Sequence, residues 1–233
     1  MGTRASRSRA TSKQQLNVEA NFQILGFVAA LVAITLGLSI IASGDNVLPG
    51  DVAVAKFIQD APQPPARLIA DFGNWIGSAK VCVVVALGVV APLLIWRRPW
   101  EASLIVLATL ARTLNSALKE IIDSPRPTPD LVRVTEHASG LGFPSGHAMG
   151  SMLCYGATAL IATRVVSHQR ARHAIQIVCA AIILMVGFGR VYTGAHWPTD
   201  VVGGYLWGTI LLMVAVRIAA MLRNGMRARR HGN

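Results

Sequence analysis

Residues 144–200 read PSGHAMGSMLCYGATALIATRVVSHQRARHAIQIVCAAIILMVGFGRVYTGAHWPTD. Two apolar runs, 148–167 and 174–190, flank a short connector carrying Arg170 and Arg172. His147 stands at the head of the first run, Arg190 at the foot of the second, and 42 residues separate them. Two membrane crossings of about 20 residues each, at about 1.5 Å rise per residue, consume that length. The chain goes in and returns, so His147 and Arg190 fall on one membrane face. His196 and Asp200 follow at i and i+4, with Pro198 between them as a favoured first helical residue.

Working outward, further apolar runs lie at 22–43, 79–96, 102–122 and 199–222. The predicted fold is all-α, an integral membrane bundle of six transmembrane helices. Composition agrees: 53% of the 233 residues are hydrophobic, only 14% are charged, and the mean hydropathy is +0.49, whereas an ordinary soluble domain is roughly a quarter charged. The run 102–122 is the least regular, because Arg112, Asn115 and Lys119 interrupt it, and polar groups inside a span face the bundle or a cavity. The first run is too long for the apolar core of a cleaved signal peptide and no small-residue cleavage site closely follows it, so it reads as an uncleaved anchor.

The net charge of +11 would suit a nucleic-acid partner, but the basic residues cluster between apolar spans. The expected partners are membrane lipids, and nucleic acid is not among them. With the N-terminus inside, the cytoplasmic segments hold thirteen cations against seven on the opposite face, which also carries nine of the eleven acids. The positive-inside rule therefore puts both termini in the cytoplasm. The domain plan is a basic tail at 1–21, a membrane domain at 22–222 and a second basic tail at 223–233. The stretch at 4–13 is expected to be disordered. The outer loop 44–78, punctuated by Pro49, Pro62, Pro64 and Pro65, carries two stretches, 52–59 and 66–77, read as interfacial helices with Phe72 and Trp75 as anchors. Cys82, Cys154 and Cys179 all lie inside apolar runs, which speaks for packing rather than a disulfide framework or a zinc site.

Three polar clusters mark the outer ends of spans: Lys119 to Pro127, Pro144 to His147, and Gly189 to Asp200. Lys119, Arg126, Arg190 and the Ser145 hydroxyl, beside a helix N-terminus, form an anion site suited to tetrahedral phosphate. Gly146, lacking a side chain, would let an oxyanion approach the backbone. The same cations would stabilise charge spreading over the equatorial oxygens of a phosphoryl-transfer transition state. Two histidines then divide the work. Asp200 can hold one ring N–H of His196 and leave the other nitrogen as nucleophile, while His147 serves as general acid. Singly, Ser145 could be a helix cap and Arg190 or Lys119 a snorkelling side chain. Together on one face they point to phosphate chemistry.

These clusters resemble the signature of the type 2 phosphatidic acid phosphatase family: Lys, six residues, Arg-Pro; Pro-Ser-Gly-His; and Ser-Arg, five residues, His, three residues, Asp. The motifs span 119–200, about a third of the chain. The resemblance implies a membrane phosphatase acting on a lipid phosphate, such as phosphatidic acid, phosphatidylglycerophosphate or a polyprenyl diphosphate, through a phosphohistidine on His196. It implies phosphate binding by Lys119, Arg126, Ser145, Gly146 and Arg190, orientation of His196 by Asp200, proton transfer by His147, and no metal or other cofactor. One position departs: Gly189 stands where the family usually has serine, which removes a donor. Glu120, Asp123, Asp130 and Glu136 show no ligand pattern. The site is expected on the outer face of the cell membrane.

Two other classes would use similar residues. An anion channel or transporter wants basic groups in a membrane pocket, but it has no need of a His-Asp pair in register with Pro-Ser-Gly-His. Vanadate-dependent haloperoxidases hold vanadate with a comparable set, yet they are soluble and much larger.

Overall fold

Proline and serine set where many of the helices begin. The computed structural model describes residues 3–44 and 47–231, with side chains over 22–44 and 47–225. Its elements are α1 (Thr3–Ala42), α2 (Asp51–Gln59), α3 (Pro65–Ile76), α4 (Ala79–Ile95), α5 (Pro99–Ala111), α6 (Leu114–Ile122), α7 (Gly146–Val165), α8 (Gln169–Tyr192) and α9 (Pro198–His231), with no strand among the described residues. Pro65, Pro99 and Pro198 occupy first helical turns, where a missing N–H costs nothing. Ser78 and Ser145 cap α4 and α7, their hydroxyls accepting from the backbone N–H of Val81 and Ala148.

The chain divides into two units, residues up to Gly37 and residues from Leu38 onward. In the first, α1 extends back to Thr3, so the stretch 4–13, expected to be disordered, is helical. It contains no proline or glycine, and its three Arg, two Ala and one Lys are residues that propagate a helix. Phe22–Ala42 is 21 residues long and apolar enough to span a membrane. The basic C-terminal stretch likewise continues α9 as far as His231.

In the second unit α7 is central. It packs against α4, α5, α8 and α9, and Met149, Leu153, Ala157 and Ile161 join Leu104 and Ile105 of α5 and Leu212 and Ala215 of α9 in the main core. The outer helices turn apolar side chains outward: Ile177 and Leu184 on α8, Val84 and Leu87 on α4, and Met221 on α9 are each more than 60% exposed, save none. A surface of that kind suits hydrocarbon. Among the described residues, three helices are long and apolar enough to cross a membrane: Phe22–Ala42, Gln169–Tyr192 and Pro198–Gly225; α3 and α4, bent by 63°, make a fourth if counted together.

This differs from six regular spans in three places, the first being α4, which reaches spanning length only together with α3. The run 102–122 is broken at Arg112 and Thr113 into α5 and α6, because Arg112 and Asn115 turn toward α7. The Arg112 guanidinium lies where a side chain on Gly150 would stand, and Asn115 donates to the Pro144 carbonyl at 3.1 Å. The 20-residue α7 is not among the apolar spans, since helices rather than lipid surround it. The two short helices expected in the outer loop are present as α2 and α3. Phe72 and Trp75 on α3 are exposed and pair at 5.6 Å between ring centroids, while Ala66, Ala70 and Gly73 pack inward. Cys82, Cys154 and Cys179 are free, buried and gathered with Tyr155 in one cluster, as packing residues.

Candidate active site

The first cluster closes α6. Lys119 lies on its last turn, and Asp123 ends the helix in the left-handed region at φ 48°. The Lys119 ammonium donates to the carbonyls of Leu141 and Gly142. Arg126 forks over the same loop: its Nε donates to Gly140 O at 2.6 Å and its guanidinium donates to Ser139 O at 3.0 Å and Ala195 O at 2.7 Å. Gly142 N–H donates back to Ser124 O at 2.7 Å. The loop 139–142 thus holds both cations at one place.

The second cluster enters α7. Ser145 is fully buried, and its N–H donates to the Asp200 carbonyl at 2.9 Å, which ties Pro-Ser-Gly-His to the start of α9. Two glycines of α9 make that approach possible. A Cβ on Gly203 would meet the Phe143 ring at 2.2 Å, and one on Gly204 would meet Ser145 O at 2.8 Å. Gly146 has its own neighbour, since a Cβ there would stand 2.8 Å from Asn115 Oδ1. Its bare backbone therefore makes room for Asn115, a role beyond the one read from sequence. His147 is half-buried, on the first turn of α7.

The third cluster is the turn from α8 to α9. Arg190 O accepts from the N–H of both Ala195 and His196 at 3.1 Å, which folds the chain back so that His196 sits beside Arg190. Gly194 is required for this bend: its φ is +69°, and a Cβ would lie 2.3 Å from Arg133 O. His196 and Asp200 are 3% and 1% exposed. His196 Nδ1 is 3.1 Å from Asp200 Oδ2, which also accepts from Trp197 N–H at 3.0 Å. With Nδ1–H donating to the carboxylate, Nε2 carries the free lone pair. Arg126 approaches that nitrogen to 3.4 Å. Burial pushes the His196 pKa well below the ordinary histidine range, and the charges of Arg190, Arg126, Lys119 and His147 push it the same way. The ring is held neutral, the form a nucleophile needs.

Lys119, Arg126, Ser145, His147, Arg190, His196 and Asp200 are therefore brought together from three chain segments. Three side chains outside the motif clusters support them. Arg190, 2% exposed, donates to Glu136 Oε1 at 2.6 Å and to Asn74 Oδ1 at 3.3 Å, and Asn74 donates to Glu136 Oε2 at 2.7 Å. Asp51 at the start of α2 accepts from Thr199 N–H at 3.0 Å and from its hydroxyl at 2.6 Å, fixing the first turn of α9. In the sequence, the visible signal for Asn74 and Glu136 was polarity: one interrupts an amphipathic helix, the other lies between two clusters. Neither carries a fixed spacing to Arg190. The exposed His137 joins no contact of the site.

A neutral imidazole held by a buried carboxylate, with two guanidinium groups and an ammonium around it, is equipped to take a phosphoryl group. Relatives agree. Residues 100–224 match the PAP2 superfamily. The chain is 30% identical over 173 residues to phosphatidylglycerophosphatase B of Bacillus subtilis, covering 72% of this chain and 82% of that protein. It is 30% identical over 118 residues to undecaprenyl-diphosphatase of Sulfolobus acidocaldarius, covering 51% of this chain and 47% of the other. The fold matches the crystal structure of the first transmembrane PAP2 type phosphatidylglycerolphosphate phosphatase from Bacillus subtilis, with a TM-score of 0.71 and 26% identity, over 83% of this chain and 96% of that one. The crystal structure of Aquifex aeolicus LpxE shares the fold at a TM-score of 0.57 and 21% identity, over 73% and 96%. The chain belongs to the PAP2 superfamily, as a membrane phosphatase.

Proposed function

We propose that the protein removes phosphate from a lipid phosphate monoester or diphosphate by way of a phosphohistidine on His196. The observation that carries this reading is the buried His196–Asp200 pair, with Nε2 turned toward Arg126. Lys119, Arg126 and Arg190, with the Ser145 hydroxyl and the first N–H groups of α7, bind the phosphate oxygens. The Nε2 lone pair attacks phosphorus, the bond from phosphorus to the lipid oxygen breaks, and protonated His147 gives its proton to the leaving alkoxide. Water then gives a proton to His147 and attacks the phosphohistidine. The P–N bond breaks, inorganic phosphate leaves, and its electron pair returns to Nε2.

The cations meet the electrostatic demand of the transferring group, so the reaction runs without a metal. Phosphatidylglycerophosphate is the first substrate to test, given the extent of similarity to phosphatidylglycerophosphatase B, and a polyprenyl diphosphate the second, given the undecaprenyl-diphosphatase. The protein crosses the cell membrane six times, α5 and α6 forming one broken crossing, with both basic termini in the cytoplasm and the site on the outer face. Charge counting and span length support that placement. The test is release of inorganic phosphate by purified protein from both lipids in EDTA. Turnover of either lipid is expected, and no release from any lipid phosphate would contradict the reading.

A further inference from the structure

The family's usual serine is missing at position 189, and the structure places another polar group in the space that side chain would take. A Cβ on Gly189 would stand 3.0 Å from Asn74 Oδ1 and 2.6 Å from the backbone carbonyl of Ala70. Helix α3 has closed onto α8 at the point where a residue-189 side chain would have kept it away. Gly73, one residue before Asn74, shows the same intimacy: its Cβ would lie 2.4 Å from Met185 O. The close approach brings the Asn74 amide next to residue 189 and against Arg190, which follows it.

The amide is used at both ends. Asn74 Oδ1 accepts from the Arg190 guanidinium at 3.3 Å, and Asn74 Nδ2 donates to Glu136 Oε2 at 2.7 Å, while Glu136 Oε1 accepts from the same guanidinium nitrogen of Arg190 at 2.6 Å. Arg190 is almost fully buried and Glu136 is 40% exposed. A carboxylate in a partly open loop can swing away from its partner or take a phosphate's place in the pairing. An amide donated from a packed helix restrains it. Arg190 also keeps nitrogen capacity that no protein group takes up: its Nε is buried with no hydrogen-bond partner, so the protein contacts fall on one edge of the fork.

We propose that Asn74 is a positioning residue that substitutes for the absent serine: it holds Glu136 and Arg190 together and thereby sets the guanidinium for phosphate. The substitution is carried by a residue more than a hundred positions away in the chain, on a helix outside the three motif clusters. A consequence is that Gly189→Ser does not restore the family arrangement here. The added Cβ meets a backbone carbonyl, which cannot turn aside as a side chain can, so α3 must move and take Asn74 with it.

This rests on Arg190 being a phosphate ligand, and its test uses readouts besides turnover. In the purified full-length protein, Asn74→Ala is expected to lower kcat/KM for phosphatidylglycerophosphate and to weaken inhibition by orthovanadate, each by about 10- to 100-fold, with the thermal midpoint in detergent unchanged. Trp75→Ala, on the exposed face of the same helix, should match wild type in all three. In a Glu136→Ala background, adding Asn74→Ala should cost less than about threefold more, because both residues act through Arg190. Additive losses, wild-type orthovanadate inhibition in Asn74→Ala, or a fall in thermal midpoint that accounts for the loss would each overturn the proposal. If wild-type protein hydrolyses no lipid phosphate, the function fails separately. Stabilisation by inorganic phosphate then still reads Arg190, and equal stabilisation of wild type and Asn74→Ala would sink the positioning role.

Discussion

His196 Nδ1 and Asp200 Oδ2 stand 3.1 Å apart at the entry to α9, and the same carboxylate oxygen accepts from Trp197 N–H. The carboxylate is thus fixed by the backbone before it orients the ring. Asn at position 200 would keep the shape and lose the charge, and its amide nitrogen could donate to Nδ1 and leave the proton on Nε2. Asp200→Asn should lower kcat by about 10²- to 10⁴-fold, the range expected when a histidine is held in the wrong tautomer. KM should change little, because the phosphate-binding cations are untouched. Steady-state kinetics on one lipid phosphate decides it, and a kcat within about threefold of wild type would count against the pair.

The pH profile should carry the mark of the same site. Burial depresses the His196 pKa first, and Arg190, Arg126 and Lys119 add to it. Since the neutral ring is the nucleophile, a depressed pKa preserves activity to lower pH. The acid limb of kcat/KM should therefore fall below about 6.5, the ordinary histidine value. Arg126→Gln removes one of the charges and should move that limb upward, on top of a lower overall rate. A wild-type limb at or above about 6.5, or one that does not move in Arg126→Gln, would contradict this electrostatic account.

Two glycines should behave in opposite ways when given a methyl group. A Cβ on Gly204 meets Ser145 O at 2.8 Å and Ala148 Cβ at 2.9 Å, whereas a Cβ on Gly88 meets nothing within 4 Å. Gly204→Ala must push α9 from α7 and should cost about 1–3 kcal/mol, as overpacking does, with turnover falling as Ser145 shifts from Asp200. Gly88→Ala, within α4, should be neutral or stabilising by up to about 1 kcal/mol. Thermal unfolding in detergent compares the two. Equal midpoints would mean that the α7–α9 approach is not as tight as the distances indicate.

Asp51 reaches from α2 to the first turn of α9 through two hydrogen bonds to Thr199. Asp51→Ala removes a partner from a helix N-terminus and should cost about 1 kcal/mol. It should also lower kcat several-fold, because the turn it fixes carries Asp200. Unchanged stability and unchanged turnover together would contradict that role.

The residues gathered around His196 were legible in the sequence because their spacing follows helix geometry. His196 and Asp200 stand one helical turn apart, and His147 and Arg190 lie at the far ends of the packed helix pair α7 and α8. Boundaries were legible where proline or serine sets them, as at Pro198 and Ser145. The break at Arg112 was not, because an interrupted apolar run is compatible both with a polar face and with a bent helix, and only the seat over Gly150 distinguishes them. Asn74, Glu136 and Asp51 were hidden for a different reason. Each acts by packing against a residue far along the chain, and nothing in local pattern reports that distance.

Central to the account is a phosphoryl group carried on His196. Rapid acid-free quenching of the protein during turnover of a radiolabelled lipid phosphate, followed by peptide mass spectrometry, tests it most directly. The account predicts an acid-labile phosphate on the peptide containing His196, present in wild type, longer-lived in His147→Ala and absent in His196→Ala, which should release no phosphate. Turnover by His196→Ala at near wild-type rate, or label on another residue in its place, would contradict it.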